Sequence, residues 1–484
     1  MNRHKSRKKG IWILLSLLLV VVVVAGGYSV LRFGFHIDLL DRSGWQSTDA
    51  GLRYLDKRGK PLTGWQQIDG TRFYFQEDGV MATGWQSIDG YEYYLGESGV
   101  PFTGWQTVDG RRRYFDRDGH LSFGWQTIEK DLYYFGDDGV LRTGMFFADD
   151  RRFLADSTGV LLKGWQQTSA GRLYLGNDGV VRTGWQQIDG NTYYMAPETG
   201  AAAMGKILLE GKWYYFDTMG IMCTGWQQID GNRYYIHEDG TMAIGWTDLG
   251  EHRYYFTEQQ GMALGWHTLD GETYYFKENG VMAIGQITID GVNHFFTSRG
   301  VFVLLVNPWN PVPEDFEANF VDYGGRMVDA SAYEALSQMV AAGRAAGNPC
   351  SITEIYRTEA TQQWLWTRRI NAYVEEGYDW ATANMMTGWS VAKPGYSEHH
   401  IGLAVDFNRD EPGTLAWMQK HCWEYGFILR YPAGKMDVTG IVSEIWHYRY
   451  VGVELAQELK SLGLCLEEYM QMLTQQENAK SPPL

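Results

Sequence analysis

Two short motifs near the C-terminal end hold the residue types that do chemistry: Ser397-x-His399-x-x-Gly402-x-Ala404-x-Asp406, then Glu444-x-Trp446-His447. They offer two imidazoles and two carboxylates. Two imidazoles and one carboxylate suffice to hold a catalytic Zn²⁺ with a fourth position left for water, and the second carboxylate would stand beside it as a general base. The helical His-Glu-x-x-His pattern is absent from the sequence, so this expectation does not rest on it. Asp406 sits between Val405 and Phe407, not a comfortable place for a solvated surface acid. His400 falls off the spacing and reads as structural.

The segments around these motifs read as a mixed α+β domain over 303–475, ordinary in size for an independent fold. It is entered through the Pro-rich run Asn307-Pro308-Trp309-Asn310-Pro311. Helical spacing is expected over 330–346, 359–376 and 412–425. Strands are expected over 351–356, 403–407 and 445–450. On a strand, Gly402, Ala404 and Asp406 would share one face, and the two small residues would leave it open beside the metal. A short tail, 476–484, comes after the domain.

Upstream the chain is periodic. Gly44, Gly64, Gly84, Gly104, Gly124, Gly144, Gly164 and Gly184 are twenty apart, and after one extra residue the period resumes at Gly205, Gly225, Gly245, Gly265 and Gly285. Ten of these thirteen glycines precede Trp. A unit of twenty residues cannot bury a core alone, so the segment 44–302 is expected to be an all-β solenoid of stacked hairpins. The expected hairpin pairs Arg72–Gln76 with Val80–Thr83 around Asp78-Gly79. The Trp residues either fill the core or contact a ligand; Trp65, Trp85, Trp105, Trp185, Trp226 and Trp246 are the ligand candidates. Many shallow aromatic sites in one array would gain strength from multivalency.

The first ten residues carry five basic side chains and no acid, and no charge occurs from Gly10 to Arg32. A helix over 11–31 would measure ~31 Å at ~1.5 Å per residue, enough to cross a bilayer. Segment 1–32 therefore reads as a basic flank and signal-anchor helix that leaves the body outside the cell. A cleaved leader ending near Val23-Val24-Ala25 is the competing reading, and it also exports the body. The formal charge is -16, and without the first ten residues 37 basic side chains stand against 58 acidic ones, which excludes nucleic acid as a partner. The four cysteines form no CxxC pair; one disulfide among Cys350, Cys422 and Cys465 and free buried thiols both fit.

The repeat text Gly-Trp-Gln-x-Ile-Asp-Gly-x-x-Tyr-Tyr-Phe resembles the choline-binding and cell-wall-binding repeat superfamily. That resemblance implies attachment to a wall polymer or glycan, with choline one of the ligands it suggests, held by cation–π attraction. The Trp that such repeats place before the Tyr-Tyr pair occurs only as Trp213; Arg72, Glu92, Arg112, Thr192 and Arg233 stand there in other units.

Gly395–Asp406, Tyr425–Pro432 and Glu444–Gly452, in that order, resemble the LAS metallopeptidases, and more narrowly the VanY-type D-alanyl-D-alanine carboxypeptidases. The resemblance implies that His399, Asp406 and His447 bind Zn²⁺. Glu444 would take the proton of the attacking water and pass it to the leaving amine. Arg357 would stabilise the oxyanion, Gln362 would help position substrate, and Ser397 would hold the peptide's terminal carboxylate. The implied substrates are peptidoglycan stem peptides, trimmed of their last D-Ala. An endopeptidase of the same family, and a non-catalytic wall or glycan adhesin, are the other readings.

Overall fold

The computed structural model describes residues 43–482. It divides into two compact units, one ending at Ala203 and the other beginning at Met204. The helix expected over 11–31 lies outside the described residues; among the described ones no helix is long and apolar enough to cross a membrane.

The repeats are hairpins, paired differently from the expectation. Gly64–Ile68 pairs with Thr71–Phe75, placing Trp65 opposite Tyr74. The reversal is at Asp69-Gly70, where both residues have positive φ (49° and 80°), the geometry of a tight two-residue hairpin turn. Asp78-Gly79 also turns the chain, Gly79 N–H donating to Gln76 O, but beyond it only a single bridge joins Met81 to Phe75. The sequence expectation chose the wrong Asp-Gly pair because both have turn chemistry, and only the first is flanked by two runs of equal length.

Met81 N–H also donates to Leu52 O of the preceding unit, and Leu121, Leu141 and Leu161 repeat that stitch on Glu92, Arg112 and Leu132. Where this stitch is made, a repeat closes on the repeat before it. The buried column of Phe75, Leu95, Phe115 and Phe135, all 0% exposed, is the core that stacking creates. Burying one such side chain contributes roughly 1.5–3 kcal/mol.

In the second unit, hairpins from Gly205 onward share their body with the α+β part. That part comprises β1 (Phe320–Asp322), β2 (Met327–Asp329), α1 (Ala330–Ala345), β3 (Ile352–Glu354), α2 (Glu359–Glu375), α3 (Trp380–Gly388), β4 (Ala404–Phe407), α4 (Pro412–His421), β5 (Phe427–Tyr431), α5 (Met436–Thr439), β6 (Glu444–Tyr450), α6 (Val453–Leu462) and α7 (Leu466–Asn478). A four-stranded antiparallel sheet runs in the order β3-β4-β6-β5. α1 covers it through Leu336, Met339 and Val340, packed with Val405, Phe407 and Tyr448. Asp329 caps α1 by accepting from Ser331 N–H.

The boundary expected at 475 falls inside α7. Thr474 Oγ1 accepts from Gln286 N–H, Tyr469 Oη accepts from Ser298 N–H, and Ser481 bonds to Glu251 and His252. The C-terminal helix therefore packs against the last repeats within this unit.

All four cysteines are free thiols. Burial pushes Cys422 up to about 12 and Cys465 up to about 11, and raises Cys350 as well. A thiol must ionise and be reached to react. Iodoacetamide is expected to label at most Cys223 in the native protein and all four in denaturant; native labelling of Cys422 at the rate of a free thiol would contradict this packing.

Candidate metal centre

The sheet register builds the site. Asp406 on β4 lies directly opposite His447 on β6, and Glu354 on β3 lies opposite Asp406 on its other side. Facing residues on neighbouring strands hold their Cβ atoms ~5 Å apart. His399 arrives from a 3₁₀ turn, Glu398–Ile401, whose end is Gly402 at φ 65°. A Cβ at Gly402 would lie 2.6 Å from Phe320 Cε1 and 2.9 Å from Asp329 N. Gly402 is therefore outside the strand and makes room for β1 and β2, not for a metal; the expectation that it shares a face with Asp406 fails because β4 begins at Ala404.

His399, Asp406 and His447 each offer a ligand atom, all within 4.8 Å of one another. His399 Nε2 is 3.4 Å from Asp406 Oδ2, and His447 Nδ1 is 2.9 Å from Asp406 Oδ1. Ligand atoms around a tetrahedral Zn²⁺ are roughly 3.3 Å apart for bonds of about 2.0–2.1 Å. The outer nitrogens are assigned too. His399 Nδ1 donates to Ile355 O at 2.6 Å, which leaves Nε2 facing inward. His447 Nε2 and Glu398 Oε2 are buried, without a hydrogen bond, and 3.5 Å apart. A proton on His447 Nε2 would face that carboxylate, and Nδ1 would then be the bare ligand nitrogen. Two imidazoles, one held by Ile355 O and the other facing the Glu398 carboxylate, with a carboxylate between them, form a donor set suited to Zn²⁺.

Charge is concentrated here. Burial opposes ionisation of Asp406, but His399 and His447 outweigh it and hold the carboxyl well below the usual range. Burial lowers His447, yet Asp406 and Glu398 push it up to about 10. Glu444, at the start of β6 and half-buried, is raised by burial, more than the two histidines beside it lower it. A carboxyl in that state is a stronger base than a solvated one.

The cleft around the three residues has a volume of about 340 Å³, and Glu354, Arg357, Ser397, Glu444, Trp446 and Tyr431 also line it. Arg357 is tied down. Its Nε donates to Glu354 Oε1 and its Nη2 contacts Glu354 Oε2, while Nη1 donates to Gln362 Oε1 at 2.7 Å. Its own carbonyl accepts from His400 Nδ1. Gln362 is 0% exposed and gives its amide N–H to Ala392 O, so it orients Arg357 and does not face a substrate as expected. Ser397 is buried and accepts from His399 N–H, which caps the turn that carries His399. Trp446 packs at the cleft with Arg409 stacked 3.4 Å from its ring.

The sequence reading missed Glu398, Arg430, Arg449 and Tyr431. Glu398 pairs with Arg430 at 2.8 Å and lies 3.0 Å from Arg449; Arg430 also grips Glu467. All of Glu398, Arg430 and Arg449 are at most 2% exposed. Tyr431 packs against His447 with ring centroids 5.0 Å apart and the ring planes tilted by 31°. One signal was available: an Arg in the middle of the apolar strand Phe427–Tyr431 must have a buried partner.

Of the repeat tryptophans, Trp65, Trp105, Trp226 and Trp246 are half-buried, whereas Trp85 and Trp185 are 37% and 44% exposed.

Residues 325–453 match the VanY family model, described as D-alanyl-D-alanine carboxypeptidase. Residues 62–100, 182–222, 223–264 and 263–301 match a choline-binding repeat, and 124–141 match a cell wall binding repeat. A D-alanyl-D-alanine carboxypeptidase from Enterococcus faecalis is 37% identical over 174 residues, 35% of this chain and 65% of that protein. A bifunctional D-Ala-D-Ala dipeptidase and carboxypeptidase from Enterococcus gallinarum is 39% identical over 134 residues, 25% of this chain and 65% of that protein. The chain thus spans just under two thirds of the length of each of these relatives. A solved VanY D,D-pentapeptidase in complex with Zn(II) is 37% identical, covering 34% of this chain and 97% of that one, with a TM-score of 0.34. The chain combines a VanY-type domain with choline-binding-type repeats.

Proposed function

We propose that this chain is a zinc-dependent D-alanyl-D-alanine carboxypeptidase that removes the terminal D-Ala from peptidoglycan stem peptides. Its repeats hold it to the wall outside the cell, and the apolar stretch 11–31 tethers it to the membrane. The observation that carries this reading is the convergence of His399 Nε2, Asp406 and His447 Nδ1 in a cleft that also holds Glu444 and Arg357. The family match over the same segment supports the substrate class.

Zn²⁺ held by His399, Asp406 and His447 would supply Lewis-acid activation of water and of the scissile carbonyl. The rest falls to the chain's own residues. Glu444 accepts the proton of the attacking water and returns it to the amine of the departing D-Ala. Arg357 presents a positive charge to the carbonyl oxygen as it becomes negative, and Glu354, Gln362 and His400 keep that charge from swinging away. Ser397 sets the turn that aims His399. Glu398 orients His447 from behind.

Incubation with pentapeptide muropeptides is expected to yield tetrapeptides and free D-Ala, read by mass spectrometry. A chelator should stop the release and added Zn²⁺ should restore it. A substrate whose terminal carboxylate is amidated should be spared; cleavage of it at equal rate would assign an endopeptidase instead. No loss of D-Ala with zinc supplied would reject the substrate.

A further inference from the structure

Five repeats build the same aromatic corner and fill it in the same way. Trp65 meets Tyr74 of its own hairpin at 5.1 Å and Tyr93 of the next at 4.9 Å, and the Arg72 guanidinium lies 3.8 Å from the Trp ring centre. Trp105 with Tyr114 and Tyr133 holds Arg112 at 4.4 Å. Trp165 with Tyr174 and Tyr193 holds Arg172 at 3.8 Å. Trp226 and Trp246, each with its two tyrosines, hold Arg233 at 4.0 Å and Arg253 at 4.9 Å. The arginine always stands seven residues after its tryptophan.

A sixth corner reaches the same end with other residues. Lys206 occupies the tryptophan position, and its ammonium lies 4.7 Å from the Trp213 ring and 5.2 Å from that of Tyr234. Glu258 closes it, its carbonyl contacting Lys206 Nζ and its carboxylate accepting from Trp213 Nε1.

Corners of two or three aromatic rings bind cations, quaternary ammonium ions above all. Here the chain supplies the cation. The guanidiniums cover ring faces: where Thr192 or Thr273 stands at the arginine position, Trp185 and Trp266 are 44% exposed, whereas the five arginine-bearing tryptophans are less so; Trp85, with Glu92 at that position, is 37% exposed and meets Arg113 of the next repeat at 4.8 Å instead. Two of the arginines are also anchored at their tips, Arg72 to Asp118 O and Arg112 to Thr158 O, both 46 residues on.

We propose that these six corners are self-liganded and closed to quaternary ammonium ligands, so that the array holds the wall without using them for choline. This rests on the reading that the repeats bind the wall, and it names the ligand class those corners refuse. An external ammonium ion would have to displace a cation that is already in place and covalently part of the chain, so competition is always intramolecular.

Equilibrium dialysis of the full chain against choline chloride tests it. Arg172→Thr with Arg233→Thr is expected to add two choline sites to whatever number the unaltered protein shows, and Lys206→Met to add one. Unchanged site numbers in variants with unchanged melting temperature would overturn the proposal. So would six or more sites in the unaltered chain, a result that needs no variant. Sedimentation with purified walls runs in parallel: Arg172→Thr with Arg233→Thr is expected to make wall binding more sensitive to excess choline than in the unaltered chain, and an unchanged sensitivity would also count against the proposal. Failure to sediment at all would reject wall attachment by the repeats, while the dialysis would still decide the state of the corners.

Discussion

Glu444→Gln is expected to lower D-Ala release by about 10²–10⁴-fold while the protein still retains one metal ion per chain. The glutamine amide keeps the size of the side chain and removes only its capacity to accept a proton. Glu444 makes no contact with His399, Asp406 or His447 short enough to be an ion pair, so the donor set should hold metal as before. Burial raises the Glu444 carboxyl, which makes it a better base than an exposed glutamate and also makes the amide easy to accommodate. Metal content by elemental analysis and turnover on pentapeptide, measured on the same sample, separate the two effects. Turnover within tenfold of the unaltered enzyme would remove Glu444 from the reaction.

Arg430→Met is expected to destabilise the C-terminal part by about 3–5 kcal/mol, the usual effect of removing one partner from a buried ion pair. Arg430 is 0% exposed and bridges Glu398, behind His447, to Glu467 on α7. Burial would push the Glu398 carboxyl up, but Arg430 and Arg449 outweigh it and hold it well below the usual range. Without Arg430, Glu398 and Glu467 share a buried space with less positive charge. A loss of that size lowers the melting transition by roughly 10 °C in a part of this size. Lys435→Ala is the matched control. Its pair with Glu468 at 2.6 Å is partly solvated, and its loss should leave the melting transition nearly unchanged. Equal melting temperatures for the two variants would show that the buried pair does not hold β5 to α7.

Much of the fold was legible because its signals are periodic or local. The twenty-residue spacing announced stacked hairpins, and α1, α2 and α4 lie within a residue or a turn of their expected spans. The 3₁₀ turn at 398–401, helix α3 and strand β5 were missed, since short segments with mixed polarity carry no period. The hairpin turn was misplaced because Asp69-Gly70 and Asp78-Gly79 are equally good turn formers and only pairing between strands distinguishes them.

By itself the sequence determined the donor types, their order and the repeat, because spacing along a strand and turn chemistry are local properties. What each side chain faces was decided by tertiary structure. Asp406 and His447 are 41 residues apart and meet only through the register of β4 on β6. Gln362 looked like a substrate contact and is the support of Arg357. Glu398 looked like a spacer between motif positions and is the buried acid that two arginines and a histidine share. The arginines of the repeats looked like a departure from a ligand motif, and they lie on the rings where a ligand would lie. Contacts of this kind depend on which chain segments are brought side by side, and a linear string of residue types does not carry that information.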